Sequence, residues 1–261
     1  MEILRAKLDD DQLRLALRTL WETGYVVFEN VLAAEYVEHI RAVFEEVLLA
    51  GHAGESVPTH GGVQPPMRQP FTGPVIIENP LAMQMLEAAL GSDFFGYLPY
   101  GSNTAWSGIG KQHIHRDQRH LFPELSLGLP ISMAVVNIPL VDFTVENGAT
   151  EVWPGSHLIT DLDCDPLSDD PNPCPEVRAA ELPTVRMATP AGSLVVRDMR
   201  LWHRGMPNRT NERRSMLSLV YARQFHHWPD RMPRDSLKDV WETLSEQAKR
   251  VYRYSYSCKQ G

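Results

Sequence analysis

The sequence predicts a mainly β protein with helices at its flanks. Two observations carry this. Roughly eight short β-rich runs, separated by turns, crowd into the stretch from about 94 to 225, and helical periodicity is confined to either side of it. So many strands in one block, without alternating helices, indicate a sandwich or closed barrel rather than a βαβ sheet. A chain of 261 residues is long enough to bury a substantial core, and an all-β barrel of this length is ordinarily one domain, here taken as 1–261.

The helices come first, within about 9–50. Asp9, Asp10 and Asp11 stand where an N-cap and first-turn acids belong. Leu13, Ala16, Leu17, Leu20 and Trp21 recur at helical spacing, and Gly24 is placed to end the helix. Tyr25-Val26-Val27-Phe28 reads as a strand. A second helix has Tyr36, Val37, Ile40, Phe44, Val47 and Leu48 on one side, with Glu35, Glu38, Glu45 and Glu46 largely opposite. From Gly51 to Pro74 the chain is rich in Gly and Pro without periodicity, as in a lid or binding loop. Leu81 to Leu90 reads as a third helix stopped at Gly91. The strands expected next are 94–98, 104–106, 112–117, 131–139, 150–153, 193–197, 201–204 and 216–224. An acidic, proline-rich insert lies between His157 and Pro183, expected to be a surface excursion over the barrel mouth. A last helix is expected over about 238–252, with Trp241, Leu244, Ala248 and Val251 at helical spacing.

Composition excludes several functions. A formal net charge of −8 gives no basic footprint for nucleic acid. Three cysteines, Cys164, Cys174 and Cys258, are too sparse for a disulfide framework and suit a reducing compartment. With no continuous apolar segment near the N-terminus and none long enough to span a bilayer, a cytoplasmic protein is expected, free of membrane and nucleic acid, as a monomer or homodimer.

The chemistry concentrates in Gln112-His113-Ile114-His115-Arg116-Asp117-Gln118. On an extended strand, His115 and Asp117 share a face and make a convergent pair for a divalent metal. His203, on another strand-like run, is the candidate third ligand. Two histidines and one carboxylate leave open positions opposite, an arrangement that suits non-haem Fe(II) oxygenases. Other readings stay open at this level. His115 and Asp117 could form a structural hydrogen bond or a surface pair. His113, on the same face, could also ligate. His113-x-His115 is shared with metal-binding cupins, although the nearest following Glu is Glu124. Zinc hydrolase, deaminase, nucleophile-elbow and phosphate-loop motifs are absent. Asp161, Asp163 and Asp165 start like a calcium loop, but Pro166 and Asn172 stand where Gly and Glu are needed.

Taken together, Gln112-x-x-His115-Arg116-Asp117-Gln118, Asn147-Gly148-Ala149-Thr150, Pro154-Gly155-Ser156-His157, and Trp202-His203 with Arg214 eleven residues on resemble the phytanoyl-CoA dioxygenase family. Its natural-product branch, which includes verruculogen synthase and the meroterpenoid and quinolone-alkaloid dioxygenases, is the most similar. The resemblance runs from about Trp21 to Tyr252. It implies a double-stranded β-helix (jelly-roll, cupin-like) core, Fe(II), 2-oxoglutarate as cosubstrate, and O2. It further implies iron ligands His115, Asp117 and His203, with Arg214 on the distal carboxylate of 2-oxoglutarate and Gln112 and Thr150 helping to hold it. Arg213 is expected to point the other way. Asp117 disfavours halogenation, since halogenating members put a small residue there, and Gly205 stands where some members have a cosubstrate-binding Ser.

The activity implied is oxidation of a C–H bond in a small organic, secondary-metabolite substrate, with release of succinate and CO2. Gln118, His120 and Phe122, together with Met67, Gln69 and Phe71, are expected to line the substrate pocket. The alternatives are a metal-binding cupin-like enzyme that does not use 2-oxoglutarate, and a barrel that binds a small ligand without turnover.

Overall fold

The computed structural model describes residues 3–4, 7–52, 60–122, 125–160, 173–227 and 237–256. The calcium-loop-like Asp161–Asp165 run lies outside them, as does much of the acidic insert and residues 53–59 of the long loop.

Helix α1 (Asp10–Thr23) opens on a capping box. The Asp9 side chain accepts from the Gln12 amide, the Gln12 side chain accepts from the Asp9 amide, and Gly24 closes the helix at φ 86°. Strand β1 (Tyr25–Phe28) and helix α2 (Ala34–Gly51) follow as the periodicity predicts. Next come β2 (His60–Gly61), α3 (Pro74–Ile77) and α4 (Pro80–Leu90), then β3 (Phe95–Gly96), β4 (Gly101–Ala105), β5 (Met133–Pro139) and β6 (Glu151–Val152). Helix α5 (Pro173–Ala179) precedes β7 (Val185–Arg186), β8 (Leu194–Asp198), β9 (His203–Arg204) and β10 (Arg214–Ala222). The chain ends on α6 (Lys238–Trp241) and α7 (Glu246–Val251).

Two expectations need correction. The single C-terminal helix is two short ones, because the Ser245 side chain accepts from the Ala248 amide and starts a new helix there. The run 112–117 is not a regular strand. It pairs with β9 through one bridge, His115 to His203, with the Gln112 and Asp117 amides donating to Gly205 and Met199.

The strands form two antiparallel sheets, the larger in the order β1-β8-β5-β10-β4-β2 with β3 on β10, the smaller in the order β7-β6-β9. Strand alternation sorts the larger sheet into two faces. Leu217, Leu219, Val136, Ile138, Leu194 and Val196 pack outward into a core shared with Leu20, Ile40, Phe44, Leu48 and Leu86 of the helices. Arg214, Met216, Ser218, Val135, Asn137, Val195 and Arg197 face the opposite way and line a cavity that His115, Asp117 and His203 also line. The fold is a double-stranded β-helix with helices covering one face.

Candidate metal centre and anion pocket

Alternation also fixes the metal segment. Ile114 packs into a small core with Trp153, Ala179 and Trp202, and Arg116 lies over the Trp202 ring, its guanidinium carbon 5.5 Å from the centroid. His115 and Asp117 are thereby turned the other way. The Ile114 amide donates to Glu176 of α5, and Trp153 Nε1 donates to the Ala179 carbonyl, so α5 braces the segment from behind. The turn Pro154-Gly155-Ser156-His157 is structural. Ser156 Oγ accepts from the Trp202 amide beside His203, and the Gly155 amide donates to Thr23 at the end of α1.

Three side chains converge. Oδ1 of Asp117 lies 3.5 Å from Nε2 of His203 and 3.9 Å from Nε2 of His115. One ligand atom from each of the three fits within 4.8 Å of the others. His113 is exposed and outside this cluster, with its carbonyl 3.1 Å from Nδ1 of His115. Nδ1 of His203 lies 3.0 Å from the Leu201 carbonyl, and a proton donated there leaves Nε2 free to ligate. Burial, then the charge of Arg197, holds His203 far below the ordinary imidazole range, so it is neutral near pH 7. Burial pushes the Asp117 carboxyl up. The neighbouring Arg197, by charge and by hydrogen bond, together with the nearby His203 and His115, outweighs this and holds the carboxyl well below the usual carboxylate range, so it is ionised. Two imidazoles and a carboxylate with facing donor atoms fit a divalent metal.

The cavity, of about 290 Å³, has a second polar end. Arg214 is 1% exposed, with its guanidinium 4.3 Å from the Phe143 ring centroid, and no described residue accepts a hydrogen bond from its Nε or Nη1. Burial and the charge of Arg186 lower its pKa to about 10, so it remains a cation. Arg213 points away and donates to Glu45 of α2 at 2.7 Å. A buried guanidinium with free N–H groups is a receptor for an anion. Gln112 and Thr150 line the same cavity, and Gln112 Oε1 accepts from the Gly205 amide at 2.8 Å. Gly205 leaves no room for a serine, because a Cβ there would sit 2.5 Å from His60 Nδ1.

The six substrate-pocket residues expected from sequence do not line this cavity. Phe71 is fully buried in the main core, Met67 packs against that core, and Gln69 is exposed beside α2. His120 is a strut, with Nε2 bonded to the Ile159 carbonyl at 2.9 Å, and burial lowers its pKa to about 4. Gln118 meets His226, and Phe122 is 50% exposed. Lining residues that sequence reasoning missed include Asn103, Asn137, Thr189, Met199, Met216 and Arg197. Only Arg197 had a signal, a charge at an alternate position of the apolar run Leu194-Val195-Val196.

A model of the family described as phytanoyl-CoA dioxygenase matches residues 20–216, three-quarters of the chain. The protein belongs to the phytanoyl-CoA dioxygenase family. The dioxygenase af480 of Aspergillus fumigatus is 30% identical over 188 residues, which are 69% of this chain and 54% of that protein. A second dioxygenase, aneA of Aspergillus aculeatus, is 30% identical over 165 residues, 57% of this chain and 55% of the relative. The chain thus spans about half the length of these relatives. Among solved structures, the α-ketoglutarate-dependent carbocyclase SnoK of nogalamycin biosynthesis superposes with TM-score 0.61 at 23% identity, covering 83% of this chain and 84% of SnoK. The epimerase SnoN, in complex with Fe3+, α-ketoglutarate and nogalamycin RO, gives 0.60 at 21%, covering 82% and 85%. These two bear on the fold.

Proposed function

We propose that the protein is an Fe(II)- and 2-oxoglutarate-dependent oxygenase that oxidises a C–H bond of a small organic molecule, releasing succinate and CO2. The observation that carries this reading is the buried guanidinium of Arg214, without a carboxylate partner among the described residues, in the same cavity as the His115–Asp117–His203 cluster. A cupin without a dicarboxylate cosubstrate has no use for such a cation, and a buried charge without a partner is costly to keep.

In this reading His115, Asp117 and His203 hold iron, and Arg214 holds the distal carboxylate of 2-oxoglutarate with Gln112 and Thr150 beside it. Bound iron supplies the activation of O2 and the oxidation of the substrate. The protein's own residues bind and orient. Met187, Val195 and Phe143 give the cavity apolar walls that limit water around the reacting groups. Asp117 supports oxygen transfer over halogenation. The Aspergillus relatives, both dioxygenases, support the reaction type, and the enzymes of nogalamycin biosynthesis support a secondary metabolite as the substrate class. No helix among the described residues is long and apolar enough to cross a membrane.

The test is anaerobic addition of Fe(II) and 2-oxoglutarate. A weak visible charge-transfer band is expected in the wild type and lost in His203→Ala, and its absence from the wild type refutes the reading. Succinate release across a panel of candidate substrates then identifies the molecule oxidised.

A further inference from the structure

The two carboxylate oxygens of Asp117 have different partners. Oδ1 faces the imidazoles, at 3.5 Å and 3.9 Å from their Nε2 atoms. Oδ2 accepts from Nη2 of Arg197 at 2.6 Å. Arg197 comes from the opposite sheet, and its side chain is 6% exposed. Strand β8 is paired on both sides, Arg197 standing opposite Tyr25 on β1 and Val135 on β5, so its backbone is anchored independently of the metal segment. Its Nη1 also lies 3.2 Å from Nδ1 of His203. One guanidinium therefore touches two members of the cluster from outside.

The geometry points to Arg197 as a positioning residue that restricts Asp117 to a single-oxygen donor and so keeps coordination positions open for a chelating cosubstrate. This rests on the metal centre proposed above. A carboxylate with both oxygens unengaged can bind a cation through one or both of them. A short, charge-assisted bond to Oδ2 opposes the rotation that two-oxygen binding needs. The same cation competes with the metal for the carboxylate, since like charges this close repel in a poorly solvated site. Arg197 thus weakens metal binding while protecting the geometry that the cosubstrate requires. A residue present only for packing would not push these two quantities in opposite directions.

The experiment titrates full-length wild type and Arg197→Met with Mn(II), then titrates the Mn(II)-loaded proteins with 2-oxoglutarate. Expected for R197M is Mn(II) binding tighter by about tenfold and 2-oxoglutarate binding weaker by about tenfold, the scale on which groups behind metal ligands act. Arg197→Lys, which keeps the charge, should stay within about threefold of wild type in both. Arg197→Gln should show the R197M signs at smaller size, and it decides the matter if R197M does not fold. Both affinities unchanged, or both weakened together, in a cooperatively unfolding variant overturns the role of Arg197 alone. A wild type that binds no Mn(II) overturns the metal centre and this inference with it.

Discussion

Replacing Arg214 by methionine should separate stability from cosubstrate binding. Arg214 is buried to 1% exposure over the Phe143 ring, and no described residue accepts from its Nε or Nη1. A buried polar group without a partner costs about 1–3 kcal/mol, and methionine keeps most of the volume without the charge. The ligand-free variant should therefore be more stable by about 1–2 kcal/mol, which for a chain of this size raises Tm by roughly 2–8 °C. With 2-oxoglutarate the order reverses. At one hundred times its Kd the cosubstrate stabilises wild type by about 2.7 kcal/mol. Losing the anchor for a buried carboxylate costs about 3 kcal/mol of binding, or roughly 150-fold, which leaves R214M a gain of about 0.3 kcal/mol at the same concentration. Thermal unfolding of the Mn(II)-loaded proteins, with and without 2-oxoglutarate, reads both effects. A variant that melts below wild type without ligand, or keeps the wild-type shift with it, refutes the reasoning.

Other expectations follow from the same geometry. Gly205→Ala places a Cβ 2.5 Å from His60 Nδ1 and 2.8 Å from Gln112 Oε1, so it should cost about 1–3 kcal/mol and weaken 2-oxoglutarate binding. Unchanged Tm and affinity would show that His60 and Gln112 yield freely. Asp117→Asn should abolish Mn(II) binding by calorimetry and destabilise the protein by about 1–3 kcal/mol, read as a lower Tm, since Arg197 loses its charged partner, the Asp117 side chain being 30% exposed. A Tm equal to wild type would count against the pair.

Burial lowers the pKa of His120, His157, His203 and His226, so the unfolded chain takes up protons near pH 6.5 while the folded one resists. Stability should consequently fall as pH drops below about 6.5, for His120 down to about 4. The Asp117 contribution has the same sign but is lost only in stronger acid, below its unfolded value near 3.8. A Tm series against pH checks this. His120→Asn should flatten the slope between about 4 and 6.5, and an unaltered slope would clear His120 of any part in it.

Much of this molecule is written in short-range pattern. Asp9 and Gly24 bound the first helix because a cap and a left-handed glycine act within one turn. His115 and Asp117 share a face because side chains alternate in extended chain, even though the segment is only a bridge. Arg214 and Arg213 point opposite ways for the same reason, one into the cavity and one to Glu45. The break at Ser245 went unread because apolar spacing ran on through it and masked a competing cap.

What the sequence could not convey is depth and convergence. Met67, Gln69 and Phe71 sit in a stretch composed like a lid, yet composition does not say that Phe71 turns into the core. Arg197 looked like one charge in an apolar strand, and its bond to Asp117, 80 residues away, exists only because two sheets close over one cavity. Local periodicity assigns each side chain to a face. Which faces meet is decided by long-range strand pairing and burial, which only the assembled sheets reveal.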